Sequence, residues 1–475
     1  MVKLLQKYKT LNIYAKSALW FTICSFLQKG ISFITVPIFT RVMSTEQYGI
    51  YTIYLSWLQI FTVISSLYLY YGVTDNAMSK FENNRDQFIS SMQGLTMTIT
   101  TGVVTICILF LKNIQHFLGL APIMIFLMFA EIYVTPAFSF WAARQRFEYR
   151  YRSLVLTTLV RSILNPVLGL AAVSFADDKA MARAISTVFV EFIVCLPILI
   201  LQFSKGKVFY RRDFWKYGLT LAIPMLPHYL SGIILNQGDR IMISRMIGSS
   251  EAALYGVAYS IGMLVQLFVN ALNNAVTPWV YSKLKINDFD SIRRRSGGLM
   301  IIIFIIAIGL MLISPELVLI FGSSKYADSV FVIPPVAGSV FFIFLYSYLS
   351  FPEFYYEKTA FLMIASVFAA VLNLLLNYFF LNKYGFVAAA YTTLVCYVLY
   401  SIGHFLVGRS ILCKQSSEHS IVDNKIMLLL STLIVLSSSF IQFLFPYPLL
   451  RYTAIFSGAV FAFVQREKII KVIKE

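Results

Sequence analysis

Apolar positions in this chain neither alternate with polar ones nor recur every third or fourth residue against a charged face. They fill runs of about 20 residues that end at charge, Gly or Pro. An α-helix needs that length to cross roughly 30 Å of hydrocarbon, whereas a membrane barrel would show alternating segments of about ten. The runs predict six helices at Ser17–Phe39, Gly49–Gly72, Phe88–Leu111, Phe117–Trp141, Ser153–Phe175 and Met181–Phe203. Six more are expected at Tyr217–Leu235, Ala252–Tyr281, Gly298–Phe321, Val330–Leu349, Ala360–Leu381 and Phe386–Gly408. Ile426–Phe445 and Leu449–Val464 complete about fourteen.

Charge placement supports this count, because one missed helix would scramble the alternation of basic and basic-poor loops. The segments RQRFEYRYR (Arg144 to Arg152), KGKVFYRRDFWK (Lys205 to Lys216), KLKINDFDSIRRR (Lys283 to Arg295) and the tail REKIIKVIKE all fall on one side. Together with the other loops of that side they hold most of the 39 Lys and Arg. Both termini are therefore expected in the cytoplasm, and the basic MVKLLQKYKT reads as the lead-in to a retained first helix. No loop exceeds roughly 20 residues, which leaves no room for a soluble catalytic or nucleotide-binding domain.

Composition narrows the class. Apolar residues make up 59% of the 475 and charged ones 13%, against roughly 25% charged in a soluble domain. With a mean hydropathy of +0.75, this is an integral membrane protein. The net charge of +17 lies in short runs beside the spans, so it carries topology and does not point to nucleic acid. Cys24, Cys107, Cys195, Cys396 and Cys413 show no paired or metal-ligand spacing and read as small core residues. No HExxH, CxxC or GxxxxGK[ST] occurs, so neither a metal nor ATP hydrolysis is expected and no cofactor is called for. Energy must come from an ion gradient or from the substrate's own concentration difference.

One phrase is written twice. TRVMSTEQYG (Thr40 to Gly49) follows the first helix and SRMIGSSEAALYG (Ser244 to Gly256) follows the seventh. An offset of six helices gives two halves of like orientation, related by an axis along the membrane normal. FLQKGISFITVPIFTRVMSTEQYGIY, IPMLPHYLSGIILNQGDRIMISRMIGSSEAALYGVAYS and YGFVAAAYTTLVCYVLYSIGH resemble the polysaccharide-export flippases, the Wzx-type O-antigen and capsule translocases of the MOP superfamily. That superfamily also contains the MATE drug exporters and the lipid II flippases. The resemblance implies an all-α, MATE-like fold with a six-helix lobe over 1–203, another over 204–409, and two helices with a basic tail over 410–475. It also implies alternating access and a substrate: an oligosaccharide on undecaprenyl pyrophosphate, turned from the cytoplasmic to the periplasmic leaflet of the bacterial inner membrane. Polysaccharide polymerase and chain-length proteins are the partners it suggests.

Charges within spans cost about 2.5–3.5 kcal/mol even on the mildest scale, so each needs a reason. Lys29 shares a helical face with Thr22, Ser25 and Ser32, and Arg161 shares one with Thr157, Thr158 and Asn165. Two such cations predict an anion-accepting cavity, since a pyrophosphate needs positive charge along its route. The other reading is an ion pair with Glu131 or Glu191. Gln266, Asn270, Asn273 and Asn274, with Tyr259 and Thr277, form a stripe on the eighth helix, and Asn373 and Asn377 stand on the eleventh. Amides and tyrosines suit a sugar-binding wall, and equally suit hydrogen bonds that hold helices together. Arg41, Arg240 and Arg245 lie near helix ends, in gating or in interfacial snorkelling. Proton or sodium coupling would require a carboxylate; Glu131, Glu191 and Asp239 are the candidates. Pro136, Pro166, Pro224 and Pro227 mark bends where a moving lobe could flex.

Two rivals remain. A MATE-type multidrug exporter would take cationic substrates and line its cavity with acids, whereas the mid-span charges here are basic. A glycan-modifying membrane enzyme would expose catalytic groups in a sizeable external loop, and His228 and His404 stand isolated in sequence.

Overall fold

The computed structural model describes residues 12–358, 360–415 and 420–464, and every regular element among them is helical. The basic segments MVKLLQKYKT and REKIIKVIKE, and with them the expected cytoplasmic termini, lie outside the described residues. Among the described residues, twelve helical segments are long and apolar enough to cross a membrane. The other two expected spans are present as Thr45–Ser66, 22 residues, and Pro448–Val464, 17 residues.

The chain folds as two compact units, one of Met1–Ile233 and another of Ile234–Glu475. Unit 1 contains α1 (Ile13–Val42), α2 (Thr45–Ser66), α3 (Val73–Lys80), α4 (Arg85–Leu109), α5 (Leu111–Leu118), α6 (Pro122–Phe147), α7 (Tyr151–Phe175) and α8 (Lys179–Gly206). The next helix, α9 (Arg212–Met246), carries the division within it. The central member of unit 1 is α8, packed on α6 and α7 through Val134, Ala137, Phe138, Leu154, Cys195 and Leu199. Helix ends are written in polar residues: Asn12, Ser44 and Asp178 each accept the backbone N–H three residues on, at 2.8, 3.2 and 2.9 Å.

Gly94 of α4 is required by packing. A Cβ there would overlap the carbonyl oxygen and carbon of Phe209, which are backbone and cannot rotate away. Gly94→Ala should therefore lower the thermal unfolding midpoint, with a cost of about 1–3 kcal/mol. An unchanged midpoint in purified protein would contradict this packing.

Unit 2 continues with α10 (Ser249–Gly262), α11 (Val265–Lys285), α12 (Phe289–Leu312), α13 (Ser314–Phe321), α14 (Ile333–Leu349), α15 (Phe351–Tyr355), α16 (Ala360–Tyr384), α17 (Ala388–Gln415), α18 (Asn424–Phe440) and α19 (Pro448–Val464). Its hub is α14, hydrophobic on all sides and packed by α10, α11, α12, α17 and α18. At the corner before α12, Lys283 Nζ lies 2.6 Å from Asp288, and with the Ser291 hydrogen bond it pulls that carboxyl down to about 2. Helix α19 is bolted on by charge: Arg451 donates through Nη1 and Nη2 to the two carboxylate oxygens of Glu316 in α13, at 2.7 and 2.8 Å.

Three expected helices differ in extent. The seventh, expected over Tyr217–Leu235, runs on to Met246, because its polar Asn-Gln-Gly-Asp-Arg turn finds partners inside unit 2. The eighth, expected as one rod, breaks between Gly262 and Val265, where Leu264 and Gln266 bond three residues back and Gly262 is pressed against Val336 of α14. The ninth ends at Leu312, and α13 follows with Pro315 in its first turn. Cys24, Cys107, Cys195 and Cys396 are buried as expected, whereas Cys413, at the end of α17, is exposed. The doubled phrase folds alike in both places, as a helix end, a two-residue corner and a new helix start: Val42 to Thr45, then Met246 to Ser249.

Candidate functional site

Each unit encloses a polar cluster of its own. In unit 1 a cavity of about 370 Å3 is walled by α1 (Gln28, Ser32, Thr35), α2 (Tyr48, Tyr51), α7 (Arg161, Asn165) and α8 (Arg183, Glu191). Arg161 holds Glu191 two-fold, Nε to Oε1 and Nη2 to Oε2, both at 2.8 Å. Its guanidinium also lies 4.8 Å from the Phe138 ring centre, and Cys195 Sγ sits 3.3 Å from Glu191 Oε2. Arg161 is thus both a half-buried cavity wall and the ion-pair partner of the buried Glu191.

Arg183, which sequence reading passed over, is the second guanidinium of this cavity. It is 5% exposed and lies 4.5 Å from the Phe39 ring centre and 5.2 Å from that of Tyr51. It donates to Thr187 Oγ1 at 3.0 Å, to Ser186 Oγ at 3.4 Å, and to the side-chain and backbone oxygens of Asn165. The available signal was spacing: Arg183, Ser186, Thr187 and Glu191 form one stripe on a helix. Glu131 stands outside the cavity lining and accepts from Tyr54 Oη at 2.9 Å, with no cation in ion-pair range among the described residues.

Lys29 is placed on the exposed face of α1, outside this cavity. Its expected companions Thr22, Ser25 and Ser32 each bond to the carbonyl four residues back. Arg41 is exposed and bonds to Pro37 O at 2.8 Å.

Unit 2 gathers its polar groups around Asp239, which is fully buried. Asp239 accepts from Asn377 Nδ2 at 2.6 Å and Thr393 Oγ1 at 2.8 Å, and from the hydroxyl of Tyr255. Asn373 donates to Thr393 at 3.1 Å, and Thr392 donates to Asn377. Four helices, α9, α10, α16 and α17, thereby converge on one carboxylate. Arg240 turns away from its neighbour, donating to Gln237 and lying 5.0 Å from the Tyr259 ring, so Asp239 and Arg240 form no local ion pair. Arg245 is exposed.

The stripe on α11 divides its roles. Gln266 donates to Asn270 at 2.9 Å within the helix, Asn273 ties α11 to Ser347 of α14 at 3.0 Å, and Asn274 is exposed. His404 is not isolated: its Nδ1 lies 2.7 Å from Glu353 Oε1, both side chains fully buried in unit 2.

Comparison with known proteins agrees with this architecture. Residues 224–379 match the MatE family model. A protein of the Lsg locus of Haemophilus influenzae is 22% identical over 362 residues, covering 72% of this chain and 85% of the relative. Among solved structures, the lipid II flippase MurJ in an inward closed conformation superposes with a TM-score of 0.72 at 15% identity, over 95% of this chain and 100% of that one. A multidrug resistance MATE family transporter of the MOP superfamily, inward-facing, gives 0.58 at 15% identity, over 82% and 96%. These likenesses establish the fold. The model described as polysaccharide biosynthesis protein matches residues 14–284, more than half of the chain, and the chain belongs to that family.

Proposed function

We propose that this protein is a flippase that moves undecaprenyl-pyrophosphate-linked oligosaccharide units from the cytoplasmic to the periplasmic leaflet for O-antigen, capsule or exopolysaccharide synthesis. The observation that carries this reading is the hydroxyl-, amide- and guanidinium-lined cavity of unit 1, in a member of a polysaccharide biosynthesis family. Hydroxyls and amides exchange hydrogen bonds with sugar hydroxyls, Tyr48 and Tyr51 cover apolar ring faces, and guanidinium groups accept anionic substituents. In this reading the lobes are 1–203 and 204–409, with 410–475 appended, set in the inner membrane with both termini cytoplasmic, whereas the division between the compact units falls within α9, after Ile233. Alternating access would move the lobes about the substrate, with polymerase and chain-length proteins receiving the product.

Ion coupling falls to carboxylates that hold no cation. Glu191 is neutralised by Arg161, which leaves Glu131 and Asp239. Asp239 is ringed by neutral oxygens and amides of four helices, a setting in which proton or sodium occupancy alters how those helices pack.

Deleting the gene should remove surface polysaccharide while lipid-linked units collect on the cytoplasmic leaflet. Wild type should restore the glycan, Arg161→Ala at equal protein level should not, and Lys29→Ala, outside the cavity, should. Normal surface glycan with altered sensitivity to cationic drugs would favour the MATE-type exporter, the reading supported by the MatE match. Against that exporter stands a cavity wall with two guanidinium groups and one carboxylate.

A further inference from the structure

We propose that the cavity of unit 1 is a subsite for an acidic sugar, in which Arg183 receives the sugar's carboxylate. This rests on the flippase reading and narrows its cargo to glycans that contain a uronic or similar acid.

The argument begins with charge. Of the groups that wall the cavity, Arg161 and Glu191 cancel in a two-fold ion pair. Within the wall Arg183 is then the one cation without a carboxylate partner, and its hydrogen-bond partners, Asn165, Ser186 and Thr187, are neutral; Glu131, held by Tyr54 outside the wall, is the next carboxylate. Its Nε–H has no acceptor, and no carboxylate lies in ion-pair range of it among the described residues. A guanidinium buried to 5% exposure carries a desolvation cost that a nearby anion offsets; its unused Nε–H is itself shielded, so the anion would meet the charge and not that N–H. One wall cation without a carboxylate partner matches a monoanion such as a carboxylate. Pyrophosphate, with at least two negative charges, would be left under-neutralised here.

The surroundings are built to keep Arg183 in place. Phe39 and Tyr51 lie against its guanidinium, and Gly169 of α7 makes room for it: a Cβ there would stand 2.5 Å from Nη1 and 2.8 Å from Cζ. The remaining wall, Gln28, Ser32, Thr35, Tyr48 and Asn165, offers hydroxyls and amides of the kind that read sugar hydroxyls. A volume of about 370 Å3 is at the small end of ligand sites, which run from about 300 to 1,000 Å3, and suits a single sugar unit better than a whole repeat.

The test is saturation-transfer NMR on the full chain in lipid nanodiscs, with D-glucuronate, D-glucose and inorganic pyrophosphate as probes. Glucuronate should bind wild type and be displaced by neither glucose nor pyrophosphate at equal concentration. Arg183→Gln should weaken glucuronate at least about tenfold, the loss of one charge-assisted contact. Should Arg183→Gln not fold, Gly169→Ala, which displaces the guanidinium while keeping its charge, should weaken glucuronate in the same direction. Equal binding of glucose and glucuronate, displacement by pyrophosphate, no glucuronate binding to wild type, or unchanged binding in a folded variant would each overturn the assignment. The flippase reading is judged separately by the deletion phenotype: accumulated lipid-linked glycan together with a negative NMR result would remove the subsite and leave the flippase.

Discussion

Glu191→Ala is expected to destabilise the protein by up to about 3 kcal/mol, below the roughly 3–5 kcal/mol for a fully buried ion pair because the Arg161 side chain keeps 27% exposure. The Arg161 guanidinium, held by both carboxylate oxygens at 2.8 Å, would be left charged beside the Phe138 ring without its carboxylate. The double change Arg161→Met with Glu191→Ala removes both charges together and should recover most of that loss. A double-mutant cycle on thermal unfolding in detergent reads the coupling directly, and contacting charges should deviate from additivity by about 0.5–3 kcal/mol. Strict additivity would mean that the pair contributes nothing as a pair. The cycle also separates two effects in complementation, since the charge-balanced double variant tests transport without an unpaired buried charge.

The second large effect is expected at Asp239. Asp239→Ala strands the donors of Tyr255, Asn377 and Thr393 in a fully buried position, at about 1–3 kcal/mol for each group left unsatisfied. Asp239→Asn keeps the volume, and the two hydroxyls can rotate to accept from its amide, so the fold should survive. The asparagine variant loses the group that can exchange a charge. In proteoliposomes it should bind lipid-linked substrate yet no longer respond to an imposed proton or sodium gradient. Gradient-dependent transport equal to wild type would exclude Asp239 as the coupling group and leave Glu131.

Span number and helical class were legible in the sequence because hydrocarbon thickness imposes a run length that side-chain detail cannot disguise. Helix ends were less so. The polar turn of α9 reads as a loop until Asp239 is seen to be satisfied by α10, α16 and α17, partners as many as 154 residues away. Among candidate residues, Glu131, Glu191 and Asp239 proved to be buried, with Arg161 half-buried against Glu191, because a charge inside an apolar run has few other places to go. Arg183 escaped notice because it follows Lys179 near the start of α8, where a basic residue ordinarily snorkels to the interface. Its burial depends on Phe39, Tyr51 and Gly169, on three other helices, and no local pattern announces that. Asn273 and Asn274 show the same limit: adjacent in sequence, one braces α14 and the other is exposed.

The ion pair that bolts α19 to α13 also sets a clock on biogenesis. Glu316 and Arg451 are separated by 135 residues, an interval the ribosome covers in on the order of ten seconds at about 5–20 residues per second. Through that interval the acid waits in the membrane protein's second half without its guanidinium. The pair can close only once Arg451 has been translated, so a product truncated before it lacks the contact.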